Sequence, residues 1–532
     1  MGTRLLQRGR IALALASALL LTLLVGCASL PPPTERPATH AVTEVDDTLL
    51  GKLAAEGAPP AAPGQPPLSG FRLMPEAAFA FDARISLARN AEKTLDVQYY
   101  LIQNDDVGLL LLKELREAAT RGVRVRLLID DLYTAGEDEL FASLAAFPNV
   151  EVRLFNPLPS RVPSFSGRLL LSLHEFRRIN HRMHNKLLVA DNSFAVSGGR
   201  NIANDYFMRS TAANYIDMDI VSSGPVVREM SQAFDRYWNS AHVRPIAEVA
   251  PLAMTPGEAQ ARFDAVASTA VPDVPLRPRD NLGRSPLGEQ LATGLVTRYW
   301  APWRFFADDP DKITRKPDEA YRGSVTEGAL GVIDMAQKRV IIASPYFIPG
   351  PMGIAMMRKQ VGDGVRVVVV TNSLGSTDEP LAYAGYERYR ADMLKAGVVI
   401  YEIAPTYTGR NKRFGEFGKS ISRLHAKLAL VDDAKAFVGS MNLDHRSAAV
   451  NTELGLVVDS PEMVQEYNRL VTGTRVDDIG YRLRLTADGR RAQWLEFDDK
   501  GEDIVHEDVP GEFLWLRFKN WLLLPLVGEE LL

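Results

Sequence analysis

His184-Asn185-Lys186-Leu187-Leu188-Val189-Ala190-Asp191 leads on to Gly198-Gly199-Arg200-Asn201. Far downstream, His425-Ala426-Lys427-Leu428-Ala429-Leu430-Val431-Asp432 leads on to Gly439-Ser440-Met441-Asn442. Both stretches fit one spacing, H-x-K-x4-D-x6-G-(G/S)-x-N. A lone H-x-K is almost without information, but two copies followed by Gly and Asn at the same offsets are a strong signal. Each Lys runs straight into a short apolar stretch that reads as a buried strand. Side chains alternate along a strand, so His and Lys two positions apart project from one face.

That pairing has a chemistry. An ammonium neutralises phosphate oxygens, while a neutral imidazole beside it can attack phosphorus. The Asn adds an amide donor, and the glycines let backbone approach closely. Two copies facing each other across a pseudo-twofold would surround one phosphate with two His and two Lys. One His then serves as nucleophile and the other as general acid for the leaving alcohol. Such a site needs no metal and no cofactor. His174, His181 and His184 lack companion carboxylates or cysteines at the usual ligand positions, which argues against a metal there. His174 and His181 read as polar residues near the site entrance.

Around these stretches the chain repeats one plan. Ala91-Glu92-Lys93, a strand from Thr94 to Ile102, a helix around Gly108 to Thr120 and the run Gly122 to Ile129 form the first copy. Ala336-Gln337-Lys338, a strand from Val340 to Ile348, a helical stretch and the run Gly364 to Val370 form the second. Short runs of Val, Ile and Leu between helical segments predict an α/β architecture, two pseudo-symmetric domains sharing one active site at their interface. Each His also needs a carboxylate on its other ring nitrogen. Asp217 and Glu453, each eight residues before a proline (Pro225, Pro461), are the candidates, with their pairing left open. Asp191 and Asp432 fall on a turn after the strand and read as structural.

This duplicated motif resembles the HKD signature of the phospholipase D superfamily. The resemblance implies a covalent phosphohistidine, with His184 as nucleophile and His425 as general acid and then base. It also implies that Lys186, Lys427, Asn201 and Asn442 bind phosphate, with the Ser440 hydroxyl beside them. Gly199 departs from Ser440 and lacks that hydroxyl. The wording around the motifs resembles bacterial cardiolipin synthases: Arg182-Met183-His184-Asn185-Lys186, Gly198-Gly199-Arg200-Asn201-Ile202, and Gly439 to Asp444 with Arg446-Ser447. Ala384-Gly385-Tyr386, Tyr389-Arg390, Leu394 to Val398 and Leu524-Pro525-Leu526 resemble the C-type branch, from about residue 70 onward. That branch implies a phosphatidyltransferase acting on phosphatidylglycerol, with phosphatidylethanolamine as phosphatidyl donor. A phospholipase D releasing phosphatidic acid is the alternative, since water can intercept the same intermediate. A secreted nuclease or a non-catalytic lipid-binding protein is a further alternative.

At the N-terminus, Arg4, Arg8 and Arg10 precede the apolar stretch Ile11 to Val25, and Leu24-Val25-Gly26-Cys27 follows. This is the plan of a signal peptide, and it resembles a bacterial lipobox in which Cys27 is diacylated. An uncleaved transmembrane anchor is the other reading. Cys27 is the sole cysteine, so no internal disulfide forms. Loss of residues 1–26 would remove three arginines and move the formal charge from −5 to −5 − 3 = −8. Such an acidic chain is not the broad basic surface of a nucleic-acid binder. Basic residues before each motif (Arg177, Arg178, Arg182; Arg410, Lys412, Arg413, Lys419, Arg423) suggest a local rim for anionic headgroups. The expected divisions are a signal peptide at 1–26, a Pro/Ala-rich tether at 27–69, domains at 70–243 and 286–476, a linker at 244–285 and an extension at 477–532. In the extension, Phe513, Trp515, Phe518, Trp521 and Leu522 to Leu524 suggest a helix packed on the body or lying at an interface. The expected setting is the cell envelope, anchored on the periplasmic side to the outer or inner membrane, with phospholipids and the membrane surface as partners. With both half-sites on one chain, a monomer is sufficient for catalysis.

Overall fold

The apolar run after Lys186 forms the strand Leu187–Ala190, and the run after Lys427 forms Leu428–Val431. In this computed structural model, residues 30–272, 275–405, 420–473, 479–497 and 503–511 are described. Both motif strands are buried throughout, as strands covered on two faces should be. Beyond each, the chain turns through left-handed backbone, φ 47° at Asp191 and 52° at Asp432. Asp and Asn tolerate that region better than other non-glycine residues. The Asp191 carboxylate accepts the N–H groups of Glu92, Lys93 and Thr94. Asp432 does the same for Gln337, Lys338 and Arg339. Both acids thus staple the turn to the start of the neighbouring strand.

The two halves share one strand order. In the first, Thr94–Tyr99, Arg124–Asp130 and Val150–Phe155 run parallel. Leu187–Ala190, Phe194–Gly198 and Asp219–Ser223 continue that sheet antiparallel. Arg339–Ala343, Arg366–Asn372 and Val399–Ile403 repeat the parallel part. Leu428–Val431, Lys435–Gly439 and Leu454–Asp459 repeat the antiparallel part. Helices Ala77–Asn90 and Asp106–Thr120 cover one face of the first sheet, and Pro225–Trp238 packs on the other.

One apolar cluster spans the two halves. Met183, Leu187, Val189 and Met218 pack in it with Leu424, Ala426, Leu428 and Leu454. Burying such side chains stabilises by about 25 cal/mol per Å², so the halves are held together by core rather than by surface contact. A two-stranded parallel ladder, Ala213–Ile216 with Ile421–Leu424, crosses the same junction.

Several expected divisions shift. Tyr299–Ala301 pairs with Ser69–Met74, so the first sheet reaches past residue 286, and Trp303–Ala307 opens the second. Within the expected linker, Pro256–Ala267 is a helix with a Thr255–Glu258 capping box, and it buries Ala259 and Phe263. Part of the expected tether, from Thr34 to Ala54, is docked on the body. Trp238 Nε1 donates to Thr39 Oγ1 at 2.8 Å, Arg126 donates to the Thr39 carbonyl at 3.0 Å, and the helix Leu49–Ala55 buries Leu50 and Leu53. These partners lie far away in sequence, so the proline-rich composition gives no sign of them. Strands Gly480–Leu485, Ala492–Phe497 and Asp503–His506 extend the second sheet, so the start of the expected extension belongs to that domain. Cys27 and its leader, Arg410, Lys412, Arg413, Lys419 and the aromatic run from Phe513 lie outside the described residues. Among the described residues, no helix is long and apolar enough to cross a membrane.

Candidate active site

His184 and Lys186 stand just ahead of the strand Leu187–Ala190 rather than on it. Here the backbone leaves its own sheet and bonds to the other half. The His184 N–H donates to the Thr452 carbonyl at 2.8 Å, and the Thr452 N–H to the Arg182 carbonyl at 2.9 Å. On the other side, the N–H groups of His425 and Ala426 both donate to the Ile216 carbonyl, at 2.8 and 3.0 Å. The residue before each His is also gripped. Asp130 accepts the Met183 N–H at 2.8 Å, and Asn372 exchanges two hydrogen bonds with the Leu424 backbone, at 2.9 and 2.8 Å.

Cross-pairing carries the carboxylates across the junction. Glu453 Oε2 lies 2.9 Å from His184 Nδ1, and Asp217 Oδ2 lies 2.7 Å from His425 Nδ1. The sequence nominates both acids, and the fold exchanges them: each half orients the other half's histidine. All four side chains are buried. A proton on Nδ1, shared with the carboxylate, leaves Nε2 with a free lone pair. Lys186 and Lys427 fold back on their own motifs, Nζ donating to the carbonyls of His184 at 2.7 Å and His425 at 2.6 Å.

Burial dominates the electrostatics. It pulls His184 down to about 4 despite Glu453, and it lowers His425 together with Lys427. Lys186 falls to about 7 and Lys427 to about 8, both chiefly by burial; Glu453 and Asp217 oppose the fall in each, and the Lys427 charge adds to it in Lys186. Burial alone would raise Asp217, but His425 and Lys427 hold it at about 2. Glu453 is likewise held below its ordinary range by His184 against burial. Two buried amines of depressed basicity are short of negative charge, and a bound phosphodiester supplies it.

Around the carboxylates the halves differ. Glu453 accepts hydrogen bonds from Ser440 Oγ at 2.5 Å and Ser447 Oγ at 2.9 Å. Ser440, expected among the phosphate ligands, has its hydroxyl on Glu453, where it also accepts the Leu454 N–H at 3.1 Å. Asp217 has the N–H of Met218 at 2.7 Å. A Cβ at Gly199 would lie 2.1 Å from Asp217 Oδ1. Gly199 is therefore room for the shorter acid rather than a missing hydroxyl.

Asn201 and Asn442 are both buried, and Oδ1 of each has no partner. Asn201 Nδ2 donates to Tyr206 OH at 2.9 Å. A half-turn of that amide lets Tyr206 donate to Oδ1 instead and frees the N–H groups for a phosphate oxygen. Arg182, expected on a basic rim, is fully buried, held by Asp130 at 3.0 Å and by the Asn156 carbonyl at 2.7 Å. Arg178 turns inward to Glu175 and Asn156, while Arg177 is exposed and Arg423 half-buried. His181 Nδ1 bonds the Val450 carbonyl at 2.9 Å, and His174 lies beside Glu175.

An aromatic wall went unread in the sequence. Tyr100 meets His184 edge-on at 5.0 Å, and Lys186 Nζ lies 5.3 Å from the same ring. Tyr206 and Tyr215 each stand 5.0 Å from the His425 ring. The hydroxyls of Tyr215 and Tyr346 donate to Asp378 Oδ2 at 3.0 and 2.9 Å, and Asp378 Oδ1 is buried without a partner. The repeat carries little signal for it: in the register that matches Ala91-Glu92-Lys93 with Ala336-Gln337-Lys338, Tyr100 falls opposite Pro345, one residue short of Tyr346.

Comparison with known proteins agrees with this geometry. The model of the cardiolipin synthase, phospholipase D-like domain matches residues 85–238 and 330–472, one match in each half. The chain is 37% identical over 444 residues to cardiolipin synthase C of Escherichia coli, covering 82% of this chain and 91% of that protein. It is 26% identical over 423 residues to a cardiolipin synthase of Staphylococcus aureus, covering 79% and 69%. Among solved structures, phosphatidylserine synthase of Haemophilus influenzae superposes with a TM-score of 0.52 at 14% identity, covering 87% and 96%, and so shares the fold. With both halves matched and each carrying the full motif, the chain belongs to the cardiolipin synthase family with phospholipase D-like domains.

Proposed function

We infer that the protein is a phosphatidyltransferase that makes cardiolipin from phosphatidylglycerol and a second phospholipid. The observation that carries the reading is the crossed pair of buried His–carboxylate contacts, 2.9 and 2.7 Å, with a lysine beside each imidazole. Neutral His184 attacks the donor phosphorus through Nε2. The P–O bond to the donor's headgroup alcohol breaks, and His425, protonated at Nε2, hands its proton to that oxygen. The phosphatidyl group is then held on His184. The headgroup hydroxyl of phosphatidylglycerol gives its proton back to His425 and attacks phosphorus. Cleavage of the P–N bond releases cardiolipin and free His184.

The unequal carboxylates support this division of labour. Glu453 shares its charge with two hydroxyls, which weakens its pull on an imidazolium and suits a nucleophile that must stay neutral. Asp217, with fewer donors and the shorter contact, better stabilises the imidazolium that a general acid requires. Lys186, Lys427, Asn201 and Asn442 hold the phosphate oxygens. The enzyme works as a monomer at the membrane surface of the cell envelope, anchored through a lipid on Cys27. Phosphatidylethanolamine as donor follows from the resemblance to the C-type branch.

The test is turnover by the purified protein, with chelator, in vesicles of phosphatidylglycerol with and without phosphatidylethanolamine, with products identified by mass spectrometry. Cardiolipin that disappears in His184→Ala and His425→Ala is the expected result. Phosphatidic acid alone would make the protein a phospholipase, and no lipid turnover would overturn the reading.

A further inference from the structure

The helix Phe165–Ser172 is built inside out. Soluble helices bury an apolar stripe and expose polar residues. Here the residues turned to the body are Arg168 and Ser172, with Arg168 only 1% exposed. Arg168 is tied down by Asp138 at 2.8 Å, Thr134 at 3.1 Å and the Val162 carbonyl at 3.1 Å. The outward residues are Phe165, Leu170 and Leu171, followed by Leu173 and Phe176, and these are 43% to 64% exposed. A charged network thus fixes the helix so that its apolar side faces away from the protein. Scattered exposed leucines need no explanation, but a contiguous set held outward by a buried ion pair marks a binding surface.

The patch connects to the catalytic centre. Phe165 stacks on Tyr133 at 5.5 Å, Tyr133 meets Tyr100 edge-on at 5.4 Å, and Tyr100 meets His184 at 5.0 Å. Exposed Arg177 follows Phe176, while the neighbouring Glu175 is neutralised by Arg178 at 2.5 Å. Apolar side chains beside the exposed positive charge of Arg177 complement acyl chains beneath anionic headgroups.

We propose that Phe165 to Arg177 is the surface by which the enzyme enters the bilayer, seating its leucines among acyl chains so that a headgroup meets His184 without leaving the membrane. The proposal rests on the phosphatidyltransferase reading above and adds the element that takes the lipid up. The occupant is a lipid surface. A second copy of the chain is the competing one.

The test uses the full chain reconstituted in vesicles of phosphatidylglycerol and phosphatidylethanolamine. A Leu170→Cys variant carries an environment-sensitive fluorophore, and the wild type, whose sole cysteine is Cys27, gives the labelling background. Quenching by lipid with spin-labelled acyl chains is expected. Turnover by a Leu170→Ser/Leu171→Ser variant is compared on vesicle lipid and on a short-chain phospholipid kept monomeric in solution. A loss of about tenfold or more on vesicles, with turnover of the monomeric lipid unchanged, is expected from the apolar area removed. Absence of quenching, or equal losses on both substrates, overturns the proposal. So does a concentration-dependent dimer that the double variant abolishes, which would seat a second copy on this face. If the wild type turns over neither lipid, the functional reading fails, while the quenching arm still decides the membrane contact.

Discussion

The two half-sites are built to one plan and finished differently. On one side a long acid, Glu453, reaches His184 and is steadied by Ser440 and Ser447. On the other a short acid, Asp217, reaches His425 and fills the space that a side chain at position 199 would need. Duplication supplies two equivalent histidines, and the surroundings of their carboxylates make them unequal. Because each acid belongs to the opposite half, neither histidine is oriented until the halves meet. The shared apolar core therefore has a catalytic consequence: it sets the distance between each imidazole and its acid.

Removing either histidine has the largest effect. His184→Ala and His425→Ala should each lower transfer by about 10⁴-fold or more, as expected for residues that act as a unit. A donor lipid with a p-nitrophenol leaving group separates them, because that phenolate departs without a proton. His425→Ala should then release one burst of p-nitrophenol per enzyme, and His184→Ala none. Replacing the orienting acids comes next. Glu453→Gln and Asp217→Asn should each lower turnover by about 10²- to 10⁴-fold by misplacing the Nδ1 proton. Steady-state rates across pH check this, and rescue by Glu453→Asp is not expected because the shorter side chain falls short of His184.

Smaller effects sharpen the contrast. Gly199→Ser should cost more activity than Ser440→Gly, although each makes the halves more alike. The first drives a Cβ into Asp217. The second removes one hydrogen bond to a carboxylate, about 1.5–3 kcal/mol or roughly 10- to 100-fold. Equal losses would mean that position 199 is not reserved for the acid.

Protonation gives the mildest test. His184 folded titrates near 4 and unfolded near 6.5, so between those values the unfolded chain binds more protons and stability rises with pH. Acidification from pH 7 to 5 should lower the urea midpoint, and less so in His184→Gln. Lys186 and Lys427, lowered to about 7 and 8, are protonated below those values. Phosphate binding should therefore weaken as pH rises through them, seen as a rising KM.

Much of this was legible from residues. The motif spacing placed both His–Lys pairs, and the repeat placed the parallel strands, because a buried strand leaves a continuous apolar run. Asp217 and Glu453 were legible from their offset to Pro225 and Pro461. Their exchange was not, since nothing local to either acid says which histidine it faces. The contact of Ser440 with Glu453 was not legible either, for a related reason: its partner is a side chain 13 residues on, not a neighbour in the motif. The docked stretch around Thr39 escaped notice because it is held by side chains of Trp238 and Arg126, distant in sequence. Nothing in the sequence alone showed that the leucines of Phe165–Ser172 face outward, because only the burial of Arg168 fixes the helix's rotation.

Under the proposed function, the unequal surroundings of the two carboxylates make His184 the nucleophile and His425 the acid and base. Rapid acid or base quench of the enzyme with donor lipid, followed by peptide mass spectrometry at alkaline pH, locates the phosphatidyl group directly. The adduct should be found on the peptide carrying His184, and it should accumulate in His425→Ala with the activated donor. An adduct on the His425 peptide would reverse the roles of the two half-sites.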